Sequence, residues 1–157
     1  MGWPVPGCSG GGVGTGAHLV AALALGADGV VVGTRFLVAE EIWAHADYKA
    51  RLVAADETET TLILQSLRNT ARVLRNATTE TVQELEKAGA GIEALMPHIS
   101  GKVGRKAYET GDWTQAALSV GQSVAFADRI EPLAAIIRRF EAEAEAALSR
   151  LKRLAGS

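Results

Sequence analysis

Five glycines, Gly10, Gly11, Gly12, Gly14 and Gly16, crowd the stretch just ahead of an apolar run, and that spacing suits anion chemistry. Glycine reaches backbone angles closed to other residues, so successive N–H groups can converge on a small anion before a helix begins. The pattern predicts such a helix from about Ala17 to Leu25, with Thr15 as its N-cap and Gly26 as the residue that stops it. Its N-terminus would turn partial positive charge and unpaired N–H groups toward the glycines. Gly29 to Val32 is short and uniformly apolar, as in a parallel strand covered on both faces. Gly33 and Thr34 then stand at the C-terminal end of that strand, where ligands collect in α/β folds.

Two phosphate-facing turns on consecutive parallel strands fit the last two βα units of a (β/α)8 barrel, whose common phosphate site lies after strands seven and eight. Other phosphate motifs fail on particulars. Gly12 and Gly14 are followed by Ala17, which permits only the looser GxGxxA form, and Val30 to Thr34 stand where a dinucleotide fold needs an acid. No GK[ST] follows the glycines, so a Walker A loop is excluded.

Residues 11–36, GGVGTGAHLVAALALGADGVVVGTRF, resemble the C-terminal part of the FMN-dependent nitronate monooxygenase family, formerly called 2-nitropropane dioxygenases. The flavin-dependent enoyl-ACP reductases of bacteria are close relatives of that family. EEIWAHADYK (40–49), ARVLRN (71–76) and GDWTQAALSVGQS (111–123) extend the resemblance over nearly the whole chain. It implies that backbone amides of Gly11 and Gly12 in one turn, and of Gly33 and Thr34 in the other, hold the FMN phosphate. It also implies that Gln122 and Ser123 belong to a segment folding back near the flavin ring; a polar helix end is the competing reading of that pair. Oxidation of an alkyl nitronate or related carbon acid, with O₂ reoxidising the flavin, is the implied activity. Enoyl-thioester reduction with a nicotinamide donor is the alternative. A chain that only binds FMN or phosphate, or serves as a helical interaction piece, is a third reading.

The resemblance further implies that the family's catalytic histidine lies in a segment upstream of the matched part, so no catalytic residue is assigned within these 157 residues. A whole barrel of this type needs roughly 250 residues. The expected architecture is therefore α/β: residues 1–39 as the last βα units of an incomplete TIM barrel carrying the phosphate cradle, and 40–157 as a mainly helical region. Pro4, Pro6 and Gly7 would weaken the first of the two strands, and the second would expose an edge. Marginal folding, self-association, or pairing with a missing N-terminal half-barrel follows from that edge and from the apolar stripe of the last helix.

Beyond Phe36 the pattern predicts a helix over Glu40 to Ala54 with Ile42, Trp43, Ala46 and Leu52 as its apolar positions, a loop at Asp56 to Thr60, and at Thr61 to Leu64 a short β-branched run that reads as a strand or a helix start, the strand slightly favoured. Arg68, Arg72 and Arg75 form a basic stripe if helical, either solvated or paired with a phosphate or partner. A helix capped by Thr78 or Thr79 runs to Lys87, Met96 to Gly101 is a loop, Val103 to Glu109 a helix ended by Gly111, and Trp113 to Val120 another helix capped by Asp112. Ile130, Leu133, Ile136, Ile137, Phe140, Ala144, Ala147, Leu148 and Leu151 give a continuous stripe to a last helix starting at Asp128.

Net charge is −2 with pI near 5.9, which argues against a nucleic-acid partner. The single Cys8 excludes an internal disulfide and suits a reducing compartment, and no apolar span or signal-peptide pattern appears, so a cytoplasmic location is expected. Cys8 reads as a packing residue or one facing the flavin. His18 reads as packing or surface, and His45 and His98 lack carboxylate or cysteine at ligand spacing, so no metal site is expected. Trp43 and Trp113 read as core or interface anchors, and the Asn76–Thr78 sequon carries no glycan inside a cell.

Overall fold

The computed structural model describes residues 6–156. The expectation attached to Pro4 lies outside them.

Strand β1 (Cys8–Gly10) leads through the glycine turn into helix α1 (Gly16–Ala24) and then strand β2 (Gly29–Val31). The two strands pair in parallel, Gly10 opposite Val31, so Pro6 and Gly7 precede the ladder without breaking it. Asp28 completes the start of the unit, accepting from the Gly7 amide at 2.8 Å while its own amide donates to the Gly7 carbonyl at 2.8 Å. The covering expected on both faces of β2 is not found: Val31 is 61% exposed, and among the described residues β2 pairs only with β1.

After a 3-10 turn at Thr34–Phe36 the chain runs irregularly to α2 (Ala46–Val53). The helix expected from Glu40 is thus confined to its second half. His45 caps it, its ring accepting from the Asp47 amide, and the buried Lys49 ammonium reaches back to the carbonyls of Ala39 and Glu40 at 2.6 and 3.0 Å. The Ala39 carbonyl also accepts the Ile42 amide at 3.2 Å. Trp43, left outside, is 64% exposed with its ring edge-on to Tyr108, whereas Trp113 packs against the largest core cluster under the Arg51 guanidinium.

Strands β3 (Thr60–Ile63) and β4 (Ala71–Leu74) form an antiparallel hairpin. The arginine stripe is therefore not formed: Arg72 lies on the strand and donates to Thr60 Oγ1 at 2.9 Å, while Arg68 sits in the connecting turn at φ +52°. Residues 116–120, expected as helix, run extended instead. They join β4 through a bridge between Val73 and Ser119, and through the Leu74 amide on the Leu118 carbonyl and the Val120 amide on the Arg72 carbonyl. Ala116, Leu118 and Val120 are buried and alternate with more exposed neighbours, the period of two that a half-buried strand requires.

Helix α3 (Ala77–Lys87) is capped by Asn76, which exchanges bonds with Thr79 in a capping box, so Thr79 is the third helical residue rather than the cap. The Asn76 side-chain amide also donates to the carbonyls of Trp113 and Ala116, which buries the nominal sequon. Met96 to Ile99, expected as loop, belongs to α4 (Ile92–Ile99), where Leu95 anchors the turn in the core formed with Ile63, Val73 and Val82. Pro97 falls in the last turn, where its missing N–H leaves the Glu93 carbonyl without its helical donor. Helix α5 (Gly101–Thr110) stops at Gly111, whose left-handed φ of +77° suits glycine. The last helix, α6 (Leu133–Ala155), starts after Pro132 and not at Asp128, because Asp128 is engaged in ion pairs. Its Ile136 and Phe140 close a core with Val13 and Ala39 against which Val32 and Phe36 pack.

Candidate functional site

Parallel pairing decides the site's layout. Chains leaving β1 at Gly11 and β2 at residue 32 emerge on the same edge of the sheet, in the neighbouring positions that strands about 4.8 Å apart allow. The first turn takes φ of +88° at Gly11 and +75° at Gly12, a left-handed conformation that side chains resist. The second begins at Gly33, directly before the 3-10 turn. A Cβ added at Gly11, Gly12 or Gly33 would meet no protein atom within 4 Å. The Gly12 and Gly33 amides donate to no group among the described residues. Open space and free donors on one edge fit a tetrahedral anion such as a phosphate ester.

Thr34 has a second task. Its Oγ1 accepts the Gly121 amide at 2.8 Å and so pins the 3-10 segment Gln122–Phe126 beside the turns. That bond brings Gln122 into one open cleft of about 570 Å³ with Gly12, Glu57 and Phe126. Of the five sequence-derived positions, Gly12 and Gln122 line that cleft, Thr34 is tied to it through Gly121, and Gly11 and Gly33 lie in the two turns outside its lining. Ser123, though buried, also lines the cleft, and Phe126, 40% exposed, packs edge-on to the His18 ring at 5.0 Å. His18 is thereby a packing residue.

The N-terminus of α1 differs from expectation. Its donors are taken internally: the Gly16 amide donates to Glu143 Oε2 at 2.8 Å, the His18 amide to Thr15 Oγ1 at 3.2 Å, and the Gly14 amide to His18 Nδ1 at 3.2 Å. A carboxylate from α6 occupies the place where an anion would have met the helix dipole. Anion-holding capacity rests on the turns themselves.

Three charged residues near the site, Arg35, Arg139 and Glu57, belong to no motif that the sequence displays. Arg35, directly after Thr34, is 3% exposed, with Nη2 3.2 Å from Glu131 Oε1 and 3.7 Å from Asp128 Oδ1. Arg139 pairs with the same two acids. Glu57 lines the cleft and had been read only as part of an acidic loop. A polar cavity of about 210 Å³ lies between these groups, bounded by Gly14, Arg35, Asp128, Arg139 and Glu143. The signal for Arg35 was its adjacency to the Gly33–Thr34 turn, but its partners lie almost a hundred residues away.

The remaining candidates stand apart. Cys8 is exposed on β1, neither packed nor turned to a cleft of the site. His45 caps α2, and His98 lies with Lys102 and Lys106 in a separate groove. Among the described residues no group of His, Cys, Asp and Glu is arranged to hold a metal, and no helix is long and apolar enough to cross a membrane.

A family model described as nitronate monooxygenase matches residues 3–143. Among solved structures, the fold is similar to FabK from Thermotoga maritima, at 31% identity and TM-score 0.87, over 97% of this chain and 48% of that one. Nitroalkane oxidase from Streptomyces ansochromogenes is similar at 27% identity and TM-score 0.73, over 95% and 42% of the two chains. The enoyl reductase domain of MlnA from Bacillus amyloliquefaciens shares the fold at 15% identity and TM-score 0.71, over 94% and 49%. The chain spans about half the length of these proteins.

Proposed function

Because the chain belongs to the nitronate monooxygenase family, we propose that its two glycine turns form the phosphate-holding corner of an FMN-dependent oxidoreductase built on a TIM barrel, of which these residues are the last βα units and their helical extension. Gly11, Gly12, Gly33 and Thr34 grip the phosphate, and Gln122 lies along the cleft on the way to the ring. The observation that carries this reading is the parallel register of Gly10 on Val31, which sets both turns on one edge. When bound, FMN supplies an electron-accepting ring, and the protein's contribution is grip, orientation and local electrostatics. Here Thr34 orients the Gln122 segment through the Gly121 amide, and the Gly12 and Gly33 amides donate to no group among the described residues.

An alkyl nitronate with O₂ is the substrate class we favour. Reduction of an enoyl thioester uses the same phosphate grip, and the likeness to FabK is what keeps that alternative. The exposed Val31 on β2, with Leu148 and Leu151 on α6, offers apolar surface to a second copy or to further barrel units. A carboxylate set against the phosphate tests the grip. FMN bound by the protein, followed at the flavin absorbance band, should weaken by at least about tenfold in a Gly12→Asp, Gly33→Asp double variant, since Asp tolerates left-handed φ but repels the phosphate. Unchanged flavin binding in that variant would overturn the assignment.

A further inference from the structure

The two turns are held to each other through a third element. Past the first, the Gly16 amide is fixed by Glu143, and the Gly16 α-carbon lies against the Phe140 carbonyl and the Ala144 amide with no room for a Cβ. Past the second, Arg35 is fixed by Glu131 and Asp128, which Arg139 holds in turn. Between these two attachments the Phe140 ring packs 6.1 Å from the Phe36 ring, in the core that contains Val13. The Glu40 amide on the Glu131 carbonyl and the Leu133 amide on Glu41 Oε2 add backbone ties on the same side.

We propose that the first half of α6 is a brace that sets the separation of the two turns, so that anion affinity at the cradle is governed by residues that never touch the anion. Glu143 and Arg35 are its positioning residues, one for each turn. The inference rests on the phosphate-cradle reading for its consequence but on contacts of the chain alone for its existence. A rigid element with a fixed end at each turn transmits displacement of one to the other, and ligand held by both must in return stabilise docking of α6.

The test uses the full chain with FMN as probe, in Glu143→Ala and Glu143→Gln variants, together with amide hydrogen exchange of the FMN-free proteins. Removing the carboxylate should weaken FMN about fivefold or more, the lower end of ordinary coupling between sites. The glutamine should restore affinity to within about twofold, because its amide oxygen still accepts from Gly16. In FMN-free protein, Glu143→Ala should speed exchange at residues 33–36, on the far turn. Wild-type affinity in Glu143→Ala, or equal loss in both variants, would overturn the brace. Exchange changes confined to the neighbourhood of Gly16 would do the same. Should the wild-type chain bind no FMN, the flavin reading falls, and exchange at residues 33–36 decides the brace by itself.

Discussion

Arg35 shows how a single residue can be fixed by chemistry that local sequence does not display. A guanidinium at 3% exposure is tolerated only if acids repay its desolvation, and Glu131 and Asp128 arrive from the far end of the chain. The glycine turn at Gly11 and Gly12 was legible in the sequence because glycine is the residue that takes the left-handed φ found there. The hydrogen bond from Gly121 to Thr34 was not, since nothing near Thr34 foretells a partner at that distance. Glu59 carries a pH prediction of its own. The Arg51 guanidinium bonds its carboxylate and, with the Asp56 amide, holds its pKa below the ordinary value despite partial burial. A depressed folded pKa contributes stability above the unfolded value, near 4.3, and loses it as pH falls through the folded one. Thermal unfolding should therefore find Glu59→Gln less stable by under about 1 kcal/mol at neutral pH, a gap that closes in acid. A gap independent of pH would contradict this account of Glu59.

Elements were legible where one period ran long enough. Helices α1, α3 and α6 were foreseen within about five residues from their caps and apolar stripes, whereas the β-branched run of β3 read as strand or helix start until its pairing with β4 decided it. Residues 116–120 were missed because Ala117 fills a gap in the alternation and lets the string pass for helix; pairing with β4, a tertiary contact, decided otherwise. The arginine spacing at 68, 72 and 75 failed for the same reason, a hairpin overriding a helical period. The contact of α1 with α6 is where element packing is tightest. Gly16→Ala forces a methyl into the α6 backbone and should cost roughly 1–3 kcal/mol. Gly101→Ala, which meets open space at the start of α5, should be neutral or slightly stabilising. Melting temperatures of the two variants check this, and equal effects would show that α6 is not seated on Gly16.

At the scale of the whole molecule, the chain covers about half of FabK and less than half of nitroalkane oxidase, yet nearly all of it aligns. The two turns are set by contacts inside that aligned part: β1 against β2, Thr34 against Gly121, and α6 against both turns. The exposed Val31 and the exposed Leu148 and Leu151 of α6 mark where apolar surface remains available to another body. Grip on a phosphate is separable from turnover, and it is the part of the chemistry these residues can be asked about directly. The most direct measurement compares FMN with riboflavin, which lacks the phosphate, by titration against the full chain. The account predicts that FMN binds at least about tenfold more tightly and that inorganic phosphate competes with it. Equal affinity for the two flavins would contradict the claim that Gly11, Gly12, Gly33 and Thr34 hold a phosphate.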